Sequence, residues 1–201
     1  MRHWHFFPVF AVALLLTAFG YANNKSIRDF TLPNANGDTL STKNYGNAKG
    51  LIVIFTCNHC PFAKLYTKRM NNLNTVFTKS GVPLIAINSM DTLVYEDETF
   101  ALMRKKVLQD SFNFPYLQDA TQQVGKQFGA EHTPMAYVIW KEKNGWIVKY
   151  KGAIDDNGEN PELAVPYVAN AVNELLAHKK VSLPETQSFG CRIFYRKNNP
   201  K

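Results

Sequence analysis

The chain has 201 residues, 23 Lys and Arg against 16 Asp and Glu, and only three Cys; that length suits one domain with a sizeable core and is too short for two ordinary ones. The net charge of +7 is carried by scattered lysines such as Lys64, Lys68, Lys105, Lys106, Lys179 and Lys180. With no long Lys/Arg run, zinc finger or RNA-binding signature, it reads as a solvated basic surface and argues against a nucleic-acid partner, while an odd cysteine count argues against a disulfide-stapled scaffold.

Residues 1–22 have the build of a cleaved signal peptide: Arg2 near the start, a hydrophobic stretch from Phe6 to Phe19, and the small-residue site Gly20-Tyr21-Ala22. The apolar run is shorter than the roughly 18 residues that cross a bilayer. The membrane would then be met only during export, or as a tether if the segment stays uncleaved. Arg2 is the only charged residue before Asn23, so the exported chain has 22 basic against 16 acidic residues, a balance of +6. No internal repeat or low-complexity linker divides it; one domain spans 23–180 and a C-terminal tail spans 181–201.

Between Arg28 and Gly50, turn residues (Pro33, Asn36-Gly37-Asp38, Tyr45-Gly46) separate short β-like pieces at Asp29–Leu32 and Thr39-Leu40, which predicts an N-terminal hairpin. Leu51 to Thr56 is continuously apolar, as in a central strand covered on both faces. From Pro61 on, Phe62, Leu65, Tyr66, Met70, Leu73, Val76 and Phe77 recur at helical spacing, with Pro61 in the first turn. Ser80-Gly81 ends that helix and Val82 to Ile87 makes a second buried strand. A helix over Glu96–Asp110, a short strand at Tyr116-Leu117 and a helix over Thr121–Phe128 ended by Gly129 come next. Strands over Met135–Trp140 and Trp146–Tyr150 flank Asn144-Gly145, a hairpin signal. Ala164, Tyr167, Val168, Ala171, Val172, Leu175 and Leu176 mark a last helix. The alternation predicts an α/β fold with a central mixed sheet flanked by helices.

Cys57-Asn58-His59-Cys60-Pro61 joins the first apolar strand to the helix. Two cysteines two residues apart can close a small disulfide ring, and the first sulfur would lie where the helix's unsatisfied N–H groups point. That position favours a thiolate, with a pKa of roughly 3.5–7 against about 8.5 for a free thiol. A zinc site would need more ligands than Cys191 can add.

With this motif, with Thr133-Pro134 before the strand at Met135, and with Asn113-Phe114-Pro115-Tyr116-Leu117-Gln118-Asp119 followed by Gln122-Gln123-Val124 and Phe128-Gly129, the chain resembles the thioredoxin superfamily. The likeness is to exported redoxins of the AhpC/TSA and TlpA-like type, over roughly 27–177. The resemblance implies a thioredoxin-like fold and an exported, periplasmic thiol–disulfide oxidoreductase without a cofactor or metal. Its partners would be protein thiols and disulfides and a further redox partner. Cys57 would attack from the exposed side, with Cys60, one turn inward, resolving the mixed disulfide. Pro134 would be a cis-proline facing the pair, leaving the backbone of Thr133 free for an extended substrate segment. Asn58 and Pro61 complete the motif. His59 would add positive charge beside Cys57 and make the disulfide more oxidising, although the rest of the chain is closer to the reductive TlpA-like branch.

The strand before the motif lacks the buried acid of thioredoxin, so Glu131 and His132 are candidates for proton handling. Cys191 is either a third redox thiol or a buried small residue. A thiol peroxidase of the same fold would carry a Thr three residues before the attacking Cys, where this chain has Ile54. A copper-binding chaperone would use Cys57, Cys60 and a distant histidine.

Overall fold

The computed structural model describes residues 25–197; the expected signal peptide lies outside them. Ser26–Ile27 (β1), Gly50–Phe55 (β4), Leu84–Asn88 (β5), Tyr116–Gln118 (β6), Met135–Glu142 (β8) and Gly145–Gly152 (β9) form one sheet in the order β1-β9-β8-β4-β5-β6. Strands β4, β5 and β6 run parallel, whereas β8 is antiparallel to β4 and to β9. The mixed sheet expected from the alternation is therefore present, with the Asn144-Gly145 turn joining β8 to β9. The N-terminal hairpin pairs Thr31–Pro33 (β2) with Thr39–Ser41 (β3), and β1 before it, unpredicted, lies on the edge of β9.

Every residue of β4 is buried, and alternation divides them between two cores. Ile52 and Ile54 face Met70, Leu73 and Phe77 of Thr67–Thr78 (α2), Met103 of Phe100–Gln109 (α3), and Val168, Ala171, Val172 and Leu175 of Tyr167–Leu176 (α5). Leu51, Val53 and Phe55 face the other core, which holds Cys57, Cys60, and Val124 and Phe128 of Gln123–Phe128 (α4). There Phe128 sits edge-on to Phe55 and Tyr137 at 5.3 and 5.0 Å between centroids, a favourable ring arrangement. Gly129 ends α4 in the left-handed conformation (φ +75°), which glycine adopts without steric cost.

Two helices expected as continuous are broken. Pro61–Leu65 (α1) stops at Tyr66, whose N–H reaches back three residues to Ala63 before α2 begins. The hydroxyl of Tyr66 bonds Asp155, which anchors the break. The segment expected as one helix over Glu96–Asp110 is a 3₁₀ turn at Glu96–Glu98 followed by α3. Thr99 between them is extended and caps Leu102 N–H with its side chain, the usual office of a threonine at a helix start. Residues from 181 on, expected as a tail, return to the domain: Cys191–Arg192 (β10) pairs antiparallel with His132–Thr133 (β7).

Candidate active site

The redox motif fills the turn from β4 to α1. Cys60 is the N-cap of α1 and Pro61 its first residue, so the helix start lies at Cys60: Lys64 N–H bonds the Cys60 carbonyl, and the Ala63 N–H helps to lower the pKa of the Cys60 thiol. This corrects the expectation that the first sulfur, Cys57, receives the helix N–H groups. The expected exposure of Cys57 is corrected too, since Cys57 and Cys60 are both 0% exposed.

Thr133 touches both sulfurs. Its hydroxyl is 3.0 Å from Cys57 Sγ, and its carbonyl oxygen is 3.1 Å from Cys60 Sγ. The Thr133-Pro134 bond is cis, so the second motif lies directly against the first. Asn58 is fixed through its side chain, donating to Asp97 O (2.7 Å) and accepting from the Tyr116 hydroxyl (3.0 Å).

Glu98 is the residue that sequence reasoning missed. It is 1% exposed, and its carboxylate accepts from Asn58 N–H (3.0 and 2.9 Å to its two oxygens), His59 N–H (3.0 Å), His59 Nδ1 (2.5 Å) and the Asn88 amide (2.6 Å). The loop amides between the two cysteines are thus spent on a carboxylate and are not left for a thiolate. Because a carboxylate can only accept, Nδ1 of His59 carries a hydrogen; the ring also stacks on Tyr95 at 4.8 Å. A charge on His59 is paired with Glu98, so the loop does not bring the net positive field on Cys57 expected of the histidine. The one signal for Glu98 was Thr99, a good cap placed after Glu96-Asp97-Glu98.

The charge distribution favours the second sulfur. The Cys57 thiol is pushed far up by its hydrogen bond to Cys60, by burial and by the Glu98 charge. Cys60 is pulled down to about 4, first by the Cys57 thiol, against burial, with help from Cys191 and the Ala63 N–H. The Thr133 carbonyl beside Cys60 can only accept and suits a protonated thiol, but Cys57, Cys191 and the Ala63 N–H all act to lower the Cys60 pKa, and we place the thiolate there. Cys191 is raised to about 12 by burial and by its hydrogen bond to Cys60.

The other candidates fall further out. Glu131 is exposed, and its charge is felt by Tyr137 and Tyr195. The ring of His132 is partly buried, with Nδ1 unpartnered. Cys57, His59 and Glu98 bring ligand atoms within 4.8 Å of one another, yet the Glu98 oxygens and His59 Nδ1 are already committed to one another and to the loop amides. A metal there would have to break those bonds.

The AhpC/TSA family model matches residues 24–156, and the chain belongs to that family. A hypothetical protein from Sinorhizobium meliloti 1021 is 29% identical over 86% of this chain and 94% of its own, with a TM-score of 0.78. More distant structures share the thioredoxin-like fold. The peroxidoxin BcpB from Mycobacterium tuberculosis is 16% identical over 77% of this chain and 96% of its own, with a TM-score of 0.57. A putative thiol:disulfide interchange protein DsbE from Chlorobium tepidum is 15% identical over 77% and 94%, with a TM-score of 0.55. No curated protein matches the sequence.

Proposed function

We propose that the protein is an exported, periplasmic thiol–disulfide oxidoreductase that cycles between a Cys57–Cys60 disulfide and a dithiol and exchanges it with protein substrates. The observation that carries this reading is the single residue Thr133, whose hydroxyl and carbonyl touch the two sulfurs from the cis Thr133-Pro134 turn. A thiol of lowered pKa beside a second thiol is the reduced half of such a couple. A groove of about 240 Å³ beside Pro134, lined by Phe62, Leu65, Tyr66 and Phe189, supports polypeptide substrates, because apolar clefts with a few polar groups suit extended chains. Export rests on the N-terminal segment 1–22 and on the compartment in which disulfides persist.

The test is equilibration in graded thiol buffers, trapping by alkylation and intact mass. A reversible two-electron step supports the reading: near about −120 mV it marks a disulfide donor, and near about −270 mV a reductant. Absence of that step sinks it. Hydrogen peroxide consumption without it would instead favour a peroxidase, and stoichiometric Cu(I) retention a copper chaperone.

A further inference from the structure

We propose that Cys191 is the outer thiol of a three-sulfur relay, through which the buried Cys57–Cys60 pair exchanges disulfides with its partners. This rests on the oxidoreductase reading above and adds the route by which a substrate reaches the pair.

Neither sulfur of the pair meets solvent, and disulfide exchange needs a partner sulfur to approach the one it attacks. What lies over them is the chain's own C-terminal segment. In the β10/β7 register Cys191 stands opposite Thr133, the residue in contact with both sulfurs, and the Thr133 hydroxyl reaches the Cys191 carbonyl at 3.4 Å. Cys191 packs on the core that contains Cys57 and Cys60 and is itself only partly buried. It is therefore the one thiol of the three that touches both the pair and solvent. The close approach depends on Gly190 (φ +145°): a Cβ there would stand 2.1 Å from the Thr133 carbonyl oxygen. That is a contact only glycine permits.

The segment occupies the β7 edge, so it also excludes a second strand while it is docked. Beyond β10 it is held by Ile193, which is 3% exposed and belongs to the same core, and by hydrogen bonds of Ile193 N–H to Glu131 O, the Tyr195 hydroxyl to Ala130 O, the Gln122 amide to Phe194 O, and Arg196 to Gln122 and the Asp91 carboxylate, so Cys191 stays against the pair. Phe189 and Phe194 are exposed.

The exchange balances without an outside oxidant. In the oxidised protein the Cys191 sulfur attacks Cys60: the Cys60–Cys191 bond forms, the Cys57–Cys60 bond breaks, and Cys57 leaves with the electron pair and takes up the proton that Cys191 gives up. A substrate thiol then attacks Cys191, and Cys60 leaves. A second substrate thiol releases Cys191, so two electrons have passed from a substrate dithiol to the protein. Run backwards, the same steps reduce a substrate disulfide.

The test oxidises the reduced protein with glutathione disulfide, quenches with acid and alkylating agent, and maps adducts by peptide mass. The relay predicts glutathione first on Cys191 in the unsubstituted protein, and a Cys60–Cys191 disulfide in Cys57→Ser. It also predicts that Cys191→Ser exchanges at least tenfold more slowly while still forming the Cys57–Cys60 disulfide. First adduct on Cys57, or Cys191→Ser exchanging at the original rate, overturns the relay while leaving the oxidoreductase reading intact. A protein that forms no Cys57–Cys60 disulfide at any buffer ratio overturns that reading instead.

Discussion

Two buried carboxylates lie close to the redox helix, and they are held in opposite ways. Asp155 meets a guanidinium: Arg69 Nη1 bonds both its oxygens at 2.9 and 2.8 Å, Tyr66 donates at 3.0 Å, and the Arg69 head group lies 4.4 Å over the Tyr66 ring. Glu98 meets no guanidinium; it is held by amides and by His59 of the redox loop itself. The first arrangement neutralises its own charge and ties α2 to the segment after β9. The second fixes the shape of the cysteine loop and sets its carboxylate where it raises the pKa of Cys57. One acid is structural, and the other couples structure to the sulfur chemistry.

Substitution separates the two roles. Asp155→Ala strands the Arg69 charge in a half-dry pocket, and removing one partner of a buried pair costs about 4 kcal/mol. Thermal or denaturant unfolding should show that loss, with the potential of the Cys57–Cys60 pair unchanged. A shifted potential would erase the contrast between the acids. Glu98→Gln retains the shape but turns an NH₂ group toward the loop amides, at about 2 kcal/mol for the donors left unpaired. With the negative charge gone, any thiolate nearby is easier to form. The reduced state gains, and the potential should rise by about 30 mV, which is about 1.4 kcal/mol for two electrons. A potential that stays put in Glu98→Gln would mean the carboxylate only shapes the loop.

The same contrast explains what could be read from the residues in order. Leu51 to Phe55, the α2 face and the Asn144-Gly145 hairpin were legible because their signals are periodic or local: burial of a whole strand, a 3.6-residue stripe, a two-residue turn. Cys57, Cys60, Thr133 and Pro134 were legible as motifs, and the fold brings them together. Glu98 was not, since Glu96-Asp97-Glu98 has the look of a solvated first turn, and the segment breaks at the extended Thr99 into a separate 3₁₀ turn in which Glu98 is buried against the loop. The position of Cys191 was not legible either. Its strand is two residues long, pairs with a segment 58 residues away, and has no periodicity to announce it.

The location of the thiolate gives the smallest effect and the sharpest test of the electrostatics. Cys60 sits at about 4 in the reduced fold, far below the ordinary thiol value of about 8.5. Its contribution to reduced-state stability is therefore complete above about pH 8.5 and lost as pH falls toward 4. Cys191, raised to about 12, acts with the other sign: its contribution is complete below about pH 8.5 and lost as pH rises toward 12. Stability of the reduced protein should peak near pH 8.5 relative to a form with all three sulfurs blocked. Between pH 5 and 8 reduction then takes up one proton, by Cys57, for two electrons. The potential should fall by about 30 mV per pH unit. Two ordinary thiols would take up two protons and give about 59 mV per unit, and that slope would move the thiolate off Cys60.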